Sequence, residues 1–136
     1  NPMAVDKQGV ANLVAAAQAA GVERMLLISS IGATRPEHPL NRFGRVLDAK
    51  LAGEETLRAS KLMYTIIRPG GLIDESGGQP LRLDQGDTIS GRISRADVAR
   101  VAVAALLSSA AIGKTFEAIA DPSGTDDLVA AFARLD

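Results

Sequence analysis

The sequence predicts an α/β protein whose parallel β-sheet is covered by helices on both faces. In residues 24–32, four large apolar residues follow one another without alternation, and two serines and a glycine come soon after. A strand with one face in water alternates apolar and polar residues, so this run predicts an interior strand at residues 25–29. Helical and strand patterns also alternate along the chain, which is typical of parallel sheets with right-handed crossovers.

The first half of the chain predicts a helix on each side of this strand. Apolar residues recur at helical spacing over residues 5–20, and Gly21 is suited to end that helix. The glycine and prolines of residues 31–41 predict a loop. A second helix follows over residues 42–60, and Asn41 is suited to cap its start.

The second half predicts a further interior strand over residues 64–67, ending before Pro69 because proline cannot continue a central ladder. Ser94 is suited to cap the helix that follows a Gly-, Asp- and Ser-rich region. Arg95 and Asp97 are expected to anchor that helix as a pair. The other predicted elements are short strands at 81–83 and 88–90, a helix at 95–107, a strand at 114–119 and a terminal helix at 126–135.

The composition limits the classes of function. The 136 residues fit one domain, and 15 basic against 16 acidic residues give a net charge of -1, so we expect no nucleic-acid partner. No cysteine is present, and the single histidine, His38, lies in a proline-rich loop where we expect it to be solvated, so no metal site is expected. We expect no membrane span and no signal peptide, hence a cytoplasmic protein.

Several motifs resemble one family when they are taken in order. They are VDKQGVANLV at 5–14, GVER at 21–24, the serines at 29–30, TIIRPG at 65–70, ISRADVA at 93–99 and KTFE at 114–117. Their order and spacing resemble the atypical short-chain dehydrogenase/reductase family, with its NAD(P)-binding NmrA-like and epimerase/dehydratase-like members. The resemblance covers nearly the whole chain and implies a Rossmann-type, doubly wound parallel sheet that binds NAD or NADP.

The resemblance also implies that the sequence holds only part of the family's domain. The family's glycine-rich phosphate-binding turn and first strands do not occur in the 136 residues. We therefore expect residues 1–136 to be a single partial NAD(P)-binding domain that binds dinucleotide weakly or not at all by itself. We also expect its open sheet edge to associate with a second copy or with the N-terminal part of the domain.

The resemblance places the candidate site at the ends of the strands. Lys50 matches the family's active-site lysine, which hydrogen-bonds the nicotinamide ribose. Ser29 and Ser30 match the strand-end pair, and the catalytic hydroxyl falls at Ser30 or at the next position, Ile31. Residues 68–70 match the turn whose backbone approaches the nicotinamide amide. The implied catalytic residues are Ser30 and Lys50, and the implied cofactor-binding residues are Ser29, Ser30, Lys50, Arg68, Pro69 and Gly70.

Two positions depart from the family's pattern. Val46 stands one helical turn before Lys50, where such reductases carry a catalytic tyrosine, and valine cannot transfer a proton. Asp6 stands where related enzymes often carry asparagine. Three functions stay open: an NAD(P)-dependent oxidoreductase on a small molecule whose proton donor is water or another side chain, a non-catalytic dinucleotide-binding redox sensor, and a helix–sheet interaction module without a ligand.

Overall fold

The computed structural model describes residues Asn1–Asp136 and contains a four-stranded sheet in the order β1-β2-β6-β4. The helices are a π-helical segment Met3–Gly9, α1 (Val10–Ala19), α2 (Val46–Ala59), α3 (Arg95–Leu106) and α4 (Leu128–Ala133). The strands are β1 (Arg24–Ile28), β2 (Met63–Pro69), β3 (Gly71–Ile73), β4 (Leu81–Asp84), β5 (Arg92–Ser94) and β6 (Lys114–Ala120). None of the helices combines the length and apolar character that crossing a bilayer requires.

Three strands of the sheet are parallel, as the sequence predicts. β1 pairs with β2, with Met25 opposite Tyr64, and β2 pairs with β6 in the same direction. β4 runs antiparallel to β6, with Leu81 opposite Ala120. The predicted Rossmann-type parallel sheet is therefore confirmed, with one antiparallel strand added to it. This strand lies at the edge, where doubly wound sheets commonly carry an antiparallel strand.

β1 lies at the other edge of the sheet that these 136 residues form, and it pairs in parallel with β2 as predicted. Met25 is the one buried residue of β1, and the side chain of Ile28 is 39% exposed. β2 is the single hydrogen-bonded neighbour of β1 in the chain, so the outer backbone groups of β1 have no strand to pair with.

Two apolar cores cover the two faces of the sheet, which confirms the doubly wound arrangement. On one face α1 and α2 pack against β1 and β2, and Val14 is buried there although Leu13, an apolar position of the predicted helix, is 57% exposed. On the other face α3 and α4 bury Val101, Phe116 and Phe132. The two phenylalanine rings lie 5.6 Å apart, a separation typical of tilted aromatic pairs.

The predicted end of α1 is confirmed, and the start of α2 lies four residues later than predicted. Gly21 has a φ of 73°, and the N–H of Val22 donates to the carbonyl of Ala17, the arrangement that ends many helices at a glycine. α2 begins at Val46 because residues 39–42 form a 3-10 turn. Asn41 still caps α2, since its Oδ1 accepts the N–H of Leu47 at 2.9 Å.

Two local predictions in the second half are wrong. β2 continues through Pro69, whose carbonyl accepts the N–H of Ile31 at 3.1 Å. The side of Pro69 that lacks an N–H faces β1 beyond its last residue, so no ladder bond is lost. Residues 88–90 form no strand, and β5 lies further on, where it pairs in parallel with β3.

Candidate functional site

A cleft of about 560 Å³ opens at the carboxyl ends of β1 and β2, where open α/β sheets bind ligands. Three predicted site residues line it, namely Ser30, Pro69 and Gly70. Most of its lining surface belongs to apolar atoms, which suits a flat, weakly polar ligand. The other lining residues are Ile31, His38, Leu40, Gly71, Leu72, Ser90 and Gly91.

The two strand-end serines face different surroundings. Ser30 lies at the cleft, and its hydroxyl donates to the carbonyl of Ile31 at 2.9 Å. Ser29 is 5% exposed, and its hydroxyl makes no hydrogen bond of good geometry, although it lies close enough to Glu54 to help lower the pKa of that carboxyl. The structure therefore brings Ser30 to the site and leaves the side chain of Ser29 in the interior.

Lys50 lies on α2, one turn after Val46, as predicted, but it does not line the cleft. Its Nζ is 2.9 Å from Oδ1 of Asp6, and both side chains are about a quarter exposed. Gly53 permits this contact, because a Cβ there would lie 2.5 Å from the carbonyl oxygen of Asp6. Asp6, which departs from the family's pattern, thus pairs with the matched lysine.

The side chain of Arg68 is directed into the protein and not into the cleft. Its Nε and Nη2 donate to the two carboxylate oxygens of Glu54 at 2.9 and 2.7 Å, and Glu54 is fully buried. Burial raises the pKa of Glu54, but the hydrogen bonds and charge of Arg68 outweigh it and hold that pKa below its ordinary value. Only the backbone of Arg68 is left to serve the predicted turn.

A buried carboxylate pair fixes the loop that follows β1. The N–H of Asp87 donates to Oε1 of Glu117 at 2.9 Å, and burial raises the pKa of Glu117 despite that bond and the nearby Arg68. Asp87 accepts the N–H of Gly32 at 2.7 Å and both the N–H and the hydroxyl of Thr34. Burial raises the pKa of Asp87, but these donors bring it below its ordinary value.

His38 forms part of the cleft wall, and the expectation of a merely solvated histidine is therefore incomplete. Its Nδ1 accepts the N–H of Leu40 at 3.3 Å. The ring packs over Gly32, where an added Cβ would lie 2.9 Å from two ring carbons. The local sequence does not predict that His38 packs at the cleft. The ring packs over Gly32, and Gly32 is held by Asp87, which lies more than fifty residues away in the sequence.

Arg95 and Asp97 do not pair with each other, so that prediction is wrong. Arg95 contacts Asp74, which is exposed. Asp97 is buried, and its carboxylate accepts the N–H of Gly78 at 2.7 Å and pairs with Arg100. Asp97 therefore ties the start of α3 to the preceding loop, away from the cleft.

A second cleft of about 640 Å³ lies between β4 and the end of α4, and none of the predicted site residues lines it. The structure brings together no group of three histidine, cysteine, aspartate or glutamate side chains that could hold a metal ion. The cleft at the ends of β1 and β2 is the place where the sequence and the geometry agree.

Comparison with known proteins identifies similar chains. A family model described as NAD(P)H-binding matches residues 1–109. Sanguinarine reductase of Eschscholzia californica is 35% identical over 141 residues, which covers 98% of this chain and 52% of that protein. The uncharacterized protein At2g37660 of Arabidopsis thaliana, named as chloroplastic, is 41% identical over 131 residues, which covers 91% of this chain and 40% of that protein.

The fold is similar to that of solved structures. A candidate NAD-dependent epimerase/dehydratase from Bacillus halodurans superposes with a TM-score of 0.87 at 28% identity, covering 98% of this chain and 62% of that one. The chain spans about half the length of the curated relatives that it matches over most of its own length.

Proposed function

Because the chain belongs to the NAD(P)H-binding family, we propose that the protein is a reductase that uses NADH or NADPH to reduce a small, apolar, electrophilic molecule. The observation that carries the proposal is the cleft at the ends of β1 and β2, which gathers Ser30, Pro69 and Gly70. The similarity to sanguinarine reductase supports reduction as the reaction class.

The residues at this cleft fit the nicotinamide end of a dinucleotide. The backbone of Pro69 and Gly70 would contact the nicotinamide amide, and Ser30 would donate a hydrogen bond beside the ring. Lys50 would hold the ribose, since its pair with Asp6 leaves it partly exposed. When bound, the cofactor supplies the hydride, so the task of these residues is to bind and orient the two reactants. The apolar lining would help to keep water from the reacting atoms.

A non-catalytic redox sensor is the second candidate, and Val46 is the observation that favours it. Without a phenol one turn before Lys50, the protein lacks the family's usual proton donor. A sensor needs only the binding contacts at Ser30, Pro69 and Lys50. We favour the reductase because a sensor would not require an apolar cleft beside the cofactor contacts.

The two candidates are separated by oxidation of NADH and NADPH by the full-length protein in the presence of 9,10-phenanthrenequinone, a flat apolar dicarbonyl. A reductase oxidises the dinucleotide only when the quinone is present, and Ser30→Ala lowers the rate while the remote Ser109→Ala leaves it unchanged. Tight dinucleotide binding with no oxidation by this or other apolar carbonyl acceptors would support the sensor. No dinucleotide binding at all would refute both.

We also propose a cytoplasmic location, and pairing of the open edge of β1, where the exposed Ile28 lies, either with a second copy or with the N-terminal part of the domain. The Arabidopsis relative is named as chloroplastic, so the compartment is best tested directly by cell fractionation. A protein recovered only in an organelle fraction would contradict the proposed location.

A further inference from the structure

We propose that His38 is a catalytic residue of the proposed reductase, and the inference rests on that function. Its Nε2–H would donate a hydrogen bond to the substrate atom that becomes electron-rich when the hydride arrives. This electrophilic role would supply part of the stabilisation that the tyrosine replaced by Val46 gives in related enzymes.

The first argument is position. His38 lines the same cleft as Ser30, Pro69 and Gly70, the residues expected at the reacting end of the cofactor. It is the only histidine in the chain, and no other ionisable side chain lines this cleft. A preorganised donor in an apolar cleft stabilises developing charge better than water does.

The second argument is the tautomer. Because Nδ1 accepts the N–H of Leu40, the neutral ring carries its hydrogen on Nε2. Nε2 makes no hydrogen bond within the protein, so this donor is free for a ligand. The contact with Leu40 therefore selects the ring form that can donate from the far nitrogen.

The third argument is that the folded loop holds the ring in a preformed position. A Cβ at Gly32 would lie 2.9 Å from two carbons of the ring, and Gly32 has a φ of 88° that few other residues adopt. The N–H of Gly32 is held by the buried carboxylate of Asp87 at 2.7 Å. The position of the ring therefore depends on Asp87, which holds Gly32 in the absence of any ligand.

The proposed step consumes one hydride from the dinucleotide and one proton from solvent. For a carbonyl substrate, the hydride from the dinucleotide forms the new C–H bond, and the C=O π electrons move to oxygen. Nε2–H of His38 hydrogen-bonds that oxygen as its charge grows. A solvent proton then converts it to the hydroxyl, and His38 stays neutral throughout.

Three variants separate catalysis from the contact with Leu40. In His38→Asn, the side-chain oxygen can still accept the N–H of Leu40, but no donor reaches the place of Nε2. In His38→Gln, an amide N–H extends close to that place. In His38→Ala, both functions are lost. We expect His38→Asn to lower quinone turnover about 100-fold, as for loss of one oxyanion donor, with dinucleotide affinity changed less than about threefold. His38→Gln should recover at least about tenfold of that loss.

If His38 only accepts the N–H of Leu40, quinone turnover should follow that contact instead. His38→Asn would then turn over like the wild type and only His38→Ala would be impaired. That result would overturn the proposal. Thermal unfolding of each variant shows whether the fold is retained. Turnover is compared only among variants whose unfolding temperature matches that of the wild type. We expect His38→Asn to meet this condition because it keeps the contact with Leu40.

Nitrogen NMR of the single histidine tests the proposal without turnover. We expect a neutral ring with hydrogen on Nε2, and a shift of the Nε2 resonance when 9,10-phenanthrenequinone is added with no dinucleotide present. Hydrogen on Nδ1, or an Nε2 resonance that the quinone leaves unchanged, would overturn the proposal. If the quinone shifts Nε2 but NADH and NADPH are never oxidised, His38 contacts carbonyl ligands and it is the reductase function that fails.

Discussion

The carboxylate of Asp6 lies 2.9 Å from the ammonium nitrogen of Lys50, although 44 positions separate the two residues in the sequence. The contact joins the first helical segment to α2. Both side chains stay about a quarter exposed, so the ion pair is accessible from solvent. Lys50 therefore has a partner when no dinucleotide is bound, and its remaining two donors can meet the hydroxyls of a ribose.

In the full-length protein, Lys50→Ala should weaken dinucleotide binding, because the variant loses a charge-assisted hydrogen bond. Such a bond contributes about 1.5–3 kcal/mol, which corresponds to about a 10- to 100-fold increase in Kd. Fluorescence titration with NADH and NADPH measures the change. Lys61→Ala, on the exposed turn after α2, is the matched control and should bind like the wild type. Unchanged affinity with turnover abolished at saturating cofactor would show that Lys50 acts in the chemistry itself.

Glu54→Gln should be strongly destabilising, because it removes the charged carboxylate that accepts two hydrogen bonds from the buried guanidinium of Arg68 and leaves only the longer contact with Glu117, at 3.4 Å. Loss of one partner of a buried ion pair costs about 3–5 kcal/mol. Glu117→Gln is the comparison variant, since Glu117 is equally buried but burial raises its pKa and its contact with Arg68 is the longer one. Urea unfolding at neutral pH should show a large loss for the first variant and a small change for the second.

Glu54 and Glu117 should contribute to the pH dependence of the free energy of unfolding with opposite signs. The lowered pKa of Glu54 gives stability that is present above its ordinary value and is lost as the pH falls through the folded value, below about pH 4. The raised pKa of Glu117 makes the wild type lose stability as the pH rises from about 4 towards the folded value. Glu117→Gln should remove that decline. Identical urea-unfolding profiles for Glu117→Gln and the wild type between pH 4 and 7 would contradict the assignment.

Asp87→Asn should make the loop at Gly32 and Thr34, over which His38 packs, more mobile. The amide keeps one acceptor oxygen, but it loses an acceptor and the charge that hold Gly32 and Thr34. Amide hydrogen exchange at these two residues should accelerate by about tenfold or more, which corresponds to loss of one hydrogen bond to a charged group. Asp84→Asn, at an exposed contact with Arg82, is the control. Unchanged exchange at Gly32 would mean that the carboxylate does not hold the loop.

Parts of the fold are predictable because their signals are local. Gly21 ends α1, and Ser94 caps α3 by accepting the N–H of Asp97 at 3.0 Å, because each motif lies within a few residues of sequence. The apolar runs around Met25 and Ile66 likewise predict two parallel strands.

The remaining features depend on which distant residues meet. The pair of Glu54 with Arg68 and the link between Asp87 and Gly32 are fixed by strand register and loop packing, which no local pattern encodes. The antiparallel direction of β4 has the same origin. The proline-rich loop around His38 predicts a solvated side chain, yet the ring packs over Gly32 in the folded chain. The matched motifs located Ser30 and Lys50, but only the structure shows which of them lines the cleft.

Ile28→Lys should prevent self-association through β1. Ile28 ends the strand whose outer edge is unpaired, and its side chain is 39% exposed. Edge strands pair readily with other chains, and a lysine opposes such pairing. Light scattering should show a dimer or larger species for the wild type and a monomer for the variant. A wild type that stays monomeric at high concentration would contradict the predicted association.

The most direct test of the central claim is an amide NMR titration of the full-length protein with NADH. The cleft at the ends of β1 and β2 is expected to receive the nicotinamide end of the dinucleotide. At millimolar NADH, we expect shifts concentrated at Ser30, Ile31, His38, Gly70 and Gly71. Shifts concentrated instead in the cleft between β4 and α4, or no shifts at millimolar NADH, would contradict the account.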